Sequence, residues 1–169
     1  MITENGWLIA WTAARAEKKV AARFAAAGLE TWLPLYRCER RWSDRWKEVE
    51  LPLFSGYCFT RAPAGDWRTL LHTPGVLTLV KEKGVPATLD DDYVQSLRRT
   101  IEAPDLQPEP VEALDPMAIG DEVVVQEGPL AGFRGVVRDV RSGRKLVVWI
   151  STIGRGVAFT IGSAQVRCA

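Results

Sequence analysis

The chain has 169 residues, room for one domain or two small ones. Hydrophobic residues are 47% and charged residues 25%, an ordinary globular balance, and no apolar run approaches the length of a membrane span. The net charge of +1 excludes a polycation, and the three cysteines Cys38, Cys58 and Cys168 form no Cys-x-x-Cys pair, which argues against a disulfide framework and a thiolate metal site.

Met1 to Asn5 lacks a basic leader segment, so the expected compartment is a reducing cytoplasm. Trp7-Leu8-Ile9-Ala10-Trp11 is a continuous apolar run, the mark of a strand buried on both faces. Arg15 to Ala27 has helical spacing, with Ala16, Val20, Phe24 and Ala27 on one face and Gly28 as its stop. Thr31 to Cys38 reads as a strand, Glu39 to Lys47 as an exposed hairpin tip, and Val49 to Arg61 as a strand interrupted by Pro52 and Gly56. Asp66 to His72 predicts a short helix ended by Thr73-Pro74-Gly75. Val76 to Val80 predicts another strand. Asp90 to Asp92 caps a helix from Tyr93 to Glu102. The order β-α-β-β-α-β-α predicts an α+β fold: an α/β sandwich with a small, mainly antiparallel sheet.

Ala103 to Pro116 holds four prolines among Asp105, Glu109, Glu112 and Asp115, and predicts a flexible acidic linker. Residues 1–102 and 117–169 are then the two domains. The second carries strands at Glu122 to Gln126, Phe133 to Val140, Leu146 to Ser151, Val157 to Ile161 and Gln165 to Arg167. Turns fall at Ser142-Gly143, Gly154-Arg155-Gly156 and Gly162-Ser163. That pattern predicts a small barrel. Gly128-Pro129-Leu130-Ala131-Gly132 is a tight turn, and Gly135 leaves room for a close backbone. Basic residues exceed acidic ones from Met117 onward, which fits association with nucleic acid or a ribonucleoprotein machine.

The hairpin tip interleaves Arg40, Arg41, Trp42, Arg45, Trp46 and Lys47, cations for phosphates and planar groups for unpaired bases. A solvated charged face is the alternative reading of the same residues. His72, the one histidine, has no carboxylate or cysteine partner at useful spacing for nucleophilic catalysis. Helix capping accounts for Asp90-Asp91-Asp92 without a divalent cation, and there is no Walker loop or dinucleotide fingerprint.

Ile119 to Val140, a strand, a Gly-rich turn and a strand carrying Gly135-Val136-Val137, resembles the KOW motif of ribosomal proteins and NusG-type factors. Trp7 to Trp11, Glu17-Lys18-Lys19-Val20, Leu51-Pro52-Leu53-Phe54-Ser55-Gly56-Tyr57-Cys58-Phe59 and Pro74-Gly75-Val76 resemble the N-terminal domain of NusG-type elongation and antitermination factors. The resemblance implies a non-enzymatic, cytoplasmic monomer without cofactor or metal. Its first domain would bind the clamp helices of RNA polymerase through Trp11, Phe54, Ser55, Gly56 and Tyr57. Core packing is the alternative role for Trp11 and Phe54. Lys18, Lys19 and Arg23 would lie on the helix that faces non-template DNA in specialised paralogues. The last domain would be an SH3-like KOW barrel. It would recruit a ribosomal small-subunit protein or Rho through Phe133, Ile153, Gly154 and Arg155. Ser55 replaces a family proline and Ile153 a family phenylalanine. With Trp32-Leu33-Pro34, these departures resemble the RfaH-like paralogues that act on selected operons. The alternative is a KOW-type RNA-binding protein of the ribosome, which predicts a far more basic chain; a hydrolase using Cys58 or His72 is a third and poorer fit.

Overall fold

The computed structural model describes residues 6–63, 66–104, 106–111, 121–128, 130–140, 143–161 and 166–168. The chain divides into two compact units, Met1–Ser96 and Leu97–Ala169.

The first unit opens with β1 (Trp7–Thr12) and α1 (Glu17–Ala26), then β2 (Glu30–Trp32), β3 (Leu35–Trp42), β4 (Arg45–Pro52) and β5 (Tyr57–Arg61). A four-residue helix, α2 (Trp67–Leu70), leads to β6 (Val76–Leu79), β7 (Lys81–Glu82), β8 (Val85–Pro86) and β9 (Thr88–Leu89). Helix α3 (Asp91–Ile101) contains the boundary between the units. The main sheet is antiparallel in the order β2-β5-β1-β6, with β9 also paired to β1.

Strand alternation sorts this sheet into two faces. Leu8, Ala10, Cys58 and Leu79 share one face and form a core with Val20 and Phe24 of α1 and Leu70 of α2. Trp7, Ile9, Trp32 and Phe59 are also buried. Trp32 lies 5.3 Å from Phe59 between ring centroids, and Phe54 meets Phe59 edge-on at 5.8 Å. Gly28, at φ 79°, ends α1 as expected.

The strand expected from Thr31 to Cys38 is two strands instead. Pro34 has no N–H to continue a ladder, and beyond it the chain leaves the main sheet. The hairpin tip is likewise much longer than its sequence suggested. Strands β3 and β4 pair over eight residues each, from Leu35↔Pro52 to Trp42↔Arg45, and only Ser43-Asp44 turns. A second hairpin, β7–β8, was not legible. Its two-residue turn, Lys83 at φ 51° and Gly84 at φ 83°, has the positive φ pair that matches strand twist, but Lys-Gly is a weak signal for it.

The second unit contains β10 (Glu109–Val111), β11 (Asp121–Val125), β12 (Arg134–Val140), β13 (Gly143–Ile150), β14 (Arg155–Ile161) and β15 (Val166–Cys168). All join one antiparallel sheet in the order β10-β14-β13-β12-β11-β15. A 3-10 turn, Ser151–Ile153, precedes β14. The five strands expected here are present within one to three residues of their expected ends. Part of the expected linker is strand, however. Glu109–Val111 pairs with Gly156 to Ala158 of β14. Pro110 is tolerated because β10 is an edge. Gly143, expected in a turn, begins β13. Residues 112–120, Pro129, Ser142 and Gly162-Ser163 lie outside the described residues.

Gly135 does what its sequence position suggested. A Cβ there would sit 2.5 Å from the Val147 carbonyl oxygen, a distance no side chain can adopt.

Candidate functional site

The main sheet is buried along one stretch and open along the next. Cross-strand partners place Tyr57, Trp11 and Thr78 in one row across β5, β1 and β6. The neighbouring row, Phe59 and Ile9, is fully buried. Trp11, next to last in β1, is 49% exposed, and the strand's other five residues are buried. Burial of both faces, expected for all of Trp7 to Trp11, therefore stops at Trp11. Thr78 is a member of this row that the sequence did not reveal, since register is not visible in one strand alone.

The loop before β5 completes the patch. The Tyr57 N–H donates to the Phe54 carbonyl at 3.1 Å, closing a tight turn with Ser55 exposed at its apex. Gly56 has φ 86°, and a Cβ built on it would stand 3.7 Å from the Trp11 ring. Its carbonyl accepts the Thr12 N–H at 2.8 Å, and its own N–H donates to Glu17 Oε1 at 2.8 Å. Glu17 is 5% exposed, so a buried carboxylate on α1 holds the loop against the indole. Phe54 is placed differently from the surface contact expected of it. It is 1% exposed, with its ring against Phe59, so it can only support the patch from beneath.

Of the α1 cations, Lys18 donates from Nζ to the Glu50 carbonyl at 2.8 Å and Arg23 from Nη1 to the Pro74 carbonyl at 2.6 Å. Lys18 thus braces strand β4 and Arg23 the loop before β6, both within their own unit. Lys19 is exposed on the same helix. Arg40, Arg41, Trp42, Arg45 and Trp46 are all exposed on the β3–β4 hairpin. In the second unit, Phe133 and Ile153 are buried, so neither offers the open side chain expected of a partner contact. Gly154 follows the 3-10 turn at φ 60°, and the partly exposed Arg155 buries its Nε with no hydrogen-bond partner among the described residues.

Burial, with the Glu17 carboxylate adding to it, pushes the Cys58 thiol up to about 12. It stays protonated at neutral pH and is no nucleophile. His72 is exposed. Asp91 braces the start of α3. It accepts the Trp7 indole N–H at 2.8 Å, the Gln95 amide at 3.2 Å and Arg61 Nη1 at 3.4 Å. The Trp7 and Gln95 hydrogen bonds, aided by the Arg61 charge, lower its pKa. A lowered folded pKa means that stability from this carboxylate is present above the ordinary carboxylate range and is lost as pH falls through it. We expect an NMR titration to place the Asp91 carboxyl below exposed aspartates, and Asp91→Asn to flatten the acid limb of the stability curve. An unchanged acid limb would assign the Trp7 contact no pH-linked role.

The family model described as NusG, transcription termination factor nusG, matches residues 5–98. The Thermus thermophilus transcription termination/antitermination protein NusG is 30% identical over 138 residues, covering 76% of this chain and 73% of its own length. The protein of the same name from Rickettsia bellii is 28% identical over 125 residues, 71% of this chain, and the match spans 62% of that relative's length. The solved structure titled "Domain interaction in Thermotoga maritima NusG" shares the fold, with a TM-score of 0.61 at 24% identity and 96% of each chain covered. More than half of the chain thus matches one family model, and the chain belongs to the NusG family.

Proposed function

We propose that this chain is a transcription elongation and antitermination factor that docks on the clamp helices of RNA polymerase. The contact surface is Trp11, Tyr57 and Thr78, with Ser55 and Gly56 at its rim. The single observation that carries the reading is the half-exposed Trp11, flanked by a half-buried Tyr57 and set on a sheet whose adjoining row is buried. Rigid, exposed aromatics supply contact area at small entropic cost and dominate protein interfaces. NusG relatives named for termination and antitermination support the process.

In this reading the first domain ends near residue 102, and the strands from β11 onward form an SH3-like KOW barrel that recruits a second partner, with the Gly154-Arg155 edge the open part of its contact. Ser55 and Ile153 support an RfaH-like specialisation. Lys19 and the β3–β4 hairpin supply the cations for DNA contact; Lys18 and Arg23, already directed at carbonyls, add charge but little reach.

The test is competition with a general NusG for purified bacterial core RNA polymerase. Trp11→Ala is expected to weaken binding by about thirtyfold, the loss typical of a central interface aromatic. Retained binding by Trp11→Ala, or no binding by the intact chain, would refute the docking surface.

A further inference from the structure

The β3–β4 hairpin is a two-stranded ribbon outside the main sheet, and its register separates its charges. Residues directly opposite one another in an antiparallel pair project from the same face, and every second residue joins them. One face therefore carries Trp42 opposite Arg45, Arg40 opposite Lys47, and Cys38 opposite Val49. The other carries Arg41 opposite Trp46, Glu39 opposite Glu48, and Arg37 opposite Glu50. The side chains agree with this sorting. Lys47 Nζ stands 5.6 Å from the Trp42 ring centroid on the first face. Arg37 bridges Glu50 at 3.2 Å and Glu48 at 3.7 Å on the second.

The faces are thus chemically unlike. The first bears Arg40, Arg45 and Lys47 around a tryptophan that is 58% exposed, and no carboxylate. The second mixes three carboxylates with two arginines, one of them neutralised. We propose that the ribbon binds single-stranded nucleic acid through the first face only. Trp42 stacks on an unpaired base, and Arg40, Arg45 and Lys47 contact the flanking phosphates. Lys47 lies over the indole, which leaves the opposite side of the ring for the base. Exposed tryptophan favours a single strand over a duplex, because only unpaired bases offer their faces. The proposal sharpens the nucleic-acid contact suggested above and rests on the ribbon alone, independently of polymerase docking. It also parts two residues from the other hairpin candidates: Arg41 and Trp46, alike in sequence, lie on the wrong face.

The experiment uses the full chain and a short fluorescein-labelled oligothymidylate, read by anisotropy across a salt series, with a duplex of equal length as comparator. The single strand is expected to bind more tightly than the duplex. Trp42→Ala is expected to weaken binding about tenfold, and Trp42→Phe to keep most of it. Replacing Arg40, Arg45 and Lys47 together by glutamine is expected to reduce the slope of log affinity against log salt by about 2, near 0.7 for each phosphate no longer neutralised. Arg41→Gln and Trp46→Ala should leave affinity unchanged. Equal weakening from the two faces, no effect of Trp42→Ala, a preference for duplex, or no binding by the intact chain would each overturn the proposal. Trp42 and Trp46 are both more than half exposed, so these substitutions do not threaten folding. No polymerase is present, so a failure here leaves the Trp11 surface standing, and the reverse.

Discussion

Phe54→Ala is expected to lower folding stability by about 3–5 kcal/mol, the cost of emptying a fully buried phenylalanine site. Phe54 is 1% exposed and sits edge-on to Phe59, which in turn packs beside Trp32. The vacated space is bounded by rings held in place by the sheet, so little of it can collapse. A urea melt should show the midpoint falling with an unchanged slope. Trp11→Ala is expected to change stability in the same melt by less than about 0.5 kcal/mol, since the indole is half in water. The pair separates support from contact. If Phe54→Ala proved as harmless as Trp11→Ala, the core assignment would fail. A polymerase-binding loss in a Phe54 variant carries no information about docking unless its fold has first been shown intact.

The second large effect is expected at Glu17. Replacing it with leucine strips the Gly56 N–H of its acceptor and costs about 1–3 kcal/mol. Glutamine keeps an oxygen at the same reach and should recover most of that loss. Amide hydrogen exchange at Gly56 is the direct measurement. It should accelerate in Glu17→Leu and remain slow in Glu17→Gln. Equal exchange in both variants would show that the backbone bonds Thr12 N–H to Gly56 carbonyl and Tyr57 N–H to Phe54 carbonyl hold the loop without Glu17. The site thus depends on a residue from a different element, 39 positions away in the chain.

Much of the fold is legible because its signals are local. The helical spacing of Val20 and Phe24, the stop at Gly28 and the close approach at Gly135 each follow from a few neighbouring residues. Strands β11, β12 and β13 of the second unit are marked by valine pairs and runs. What could not be read depends on partners distant in sequence. Strand β9 is two residues long and exists only because Trp7 and Leu8 accept it as a neighbour. A proline-rich acidic stretch reads as linker, yet Glu109–Val111 finds an open edge to pair with. The candidate site divides in the same way. An apolar run shows that Trp11 lies in a strand, but not that the row it belongs to is uncovered. Phe54 and Tyr57 look equivalent from three residues apart, and only the turn between them sends one inward and leaves the other half open.

The hairpin ribbon has a further consequence for the behaviour of the protein in solution. Among the described residues these two strands pair only with each other, and each outer backbone edge is a template on which another copy could add a strand. Most of the ribbon's side chains from Arg37 to Glu50 are charged, and a strand added on either edge would have to strip water from those charges. The charges proposed to hold nucleic acid also oppose strand addition at the ribbon's edges. Neutralising all of them at once, rather than one face at a time, would be expected to trade solubility for aggregation.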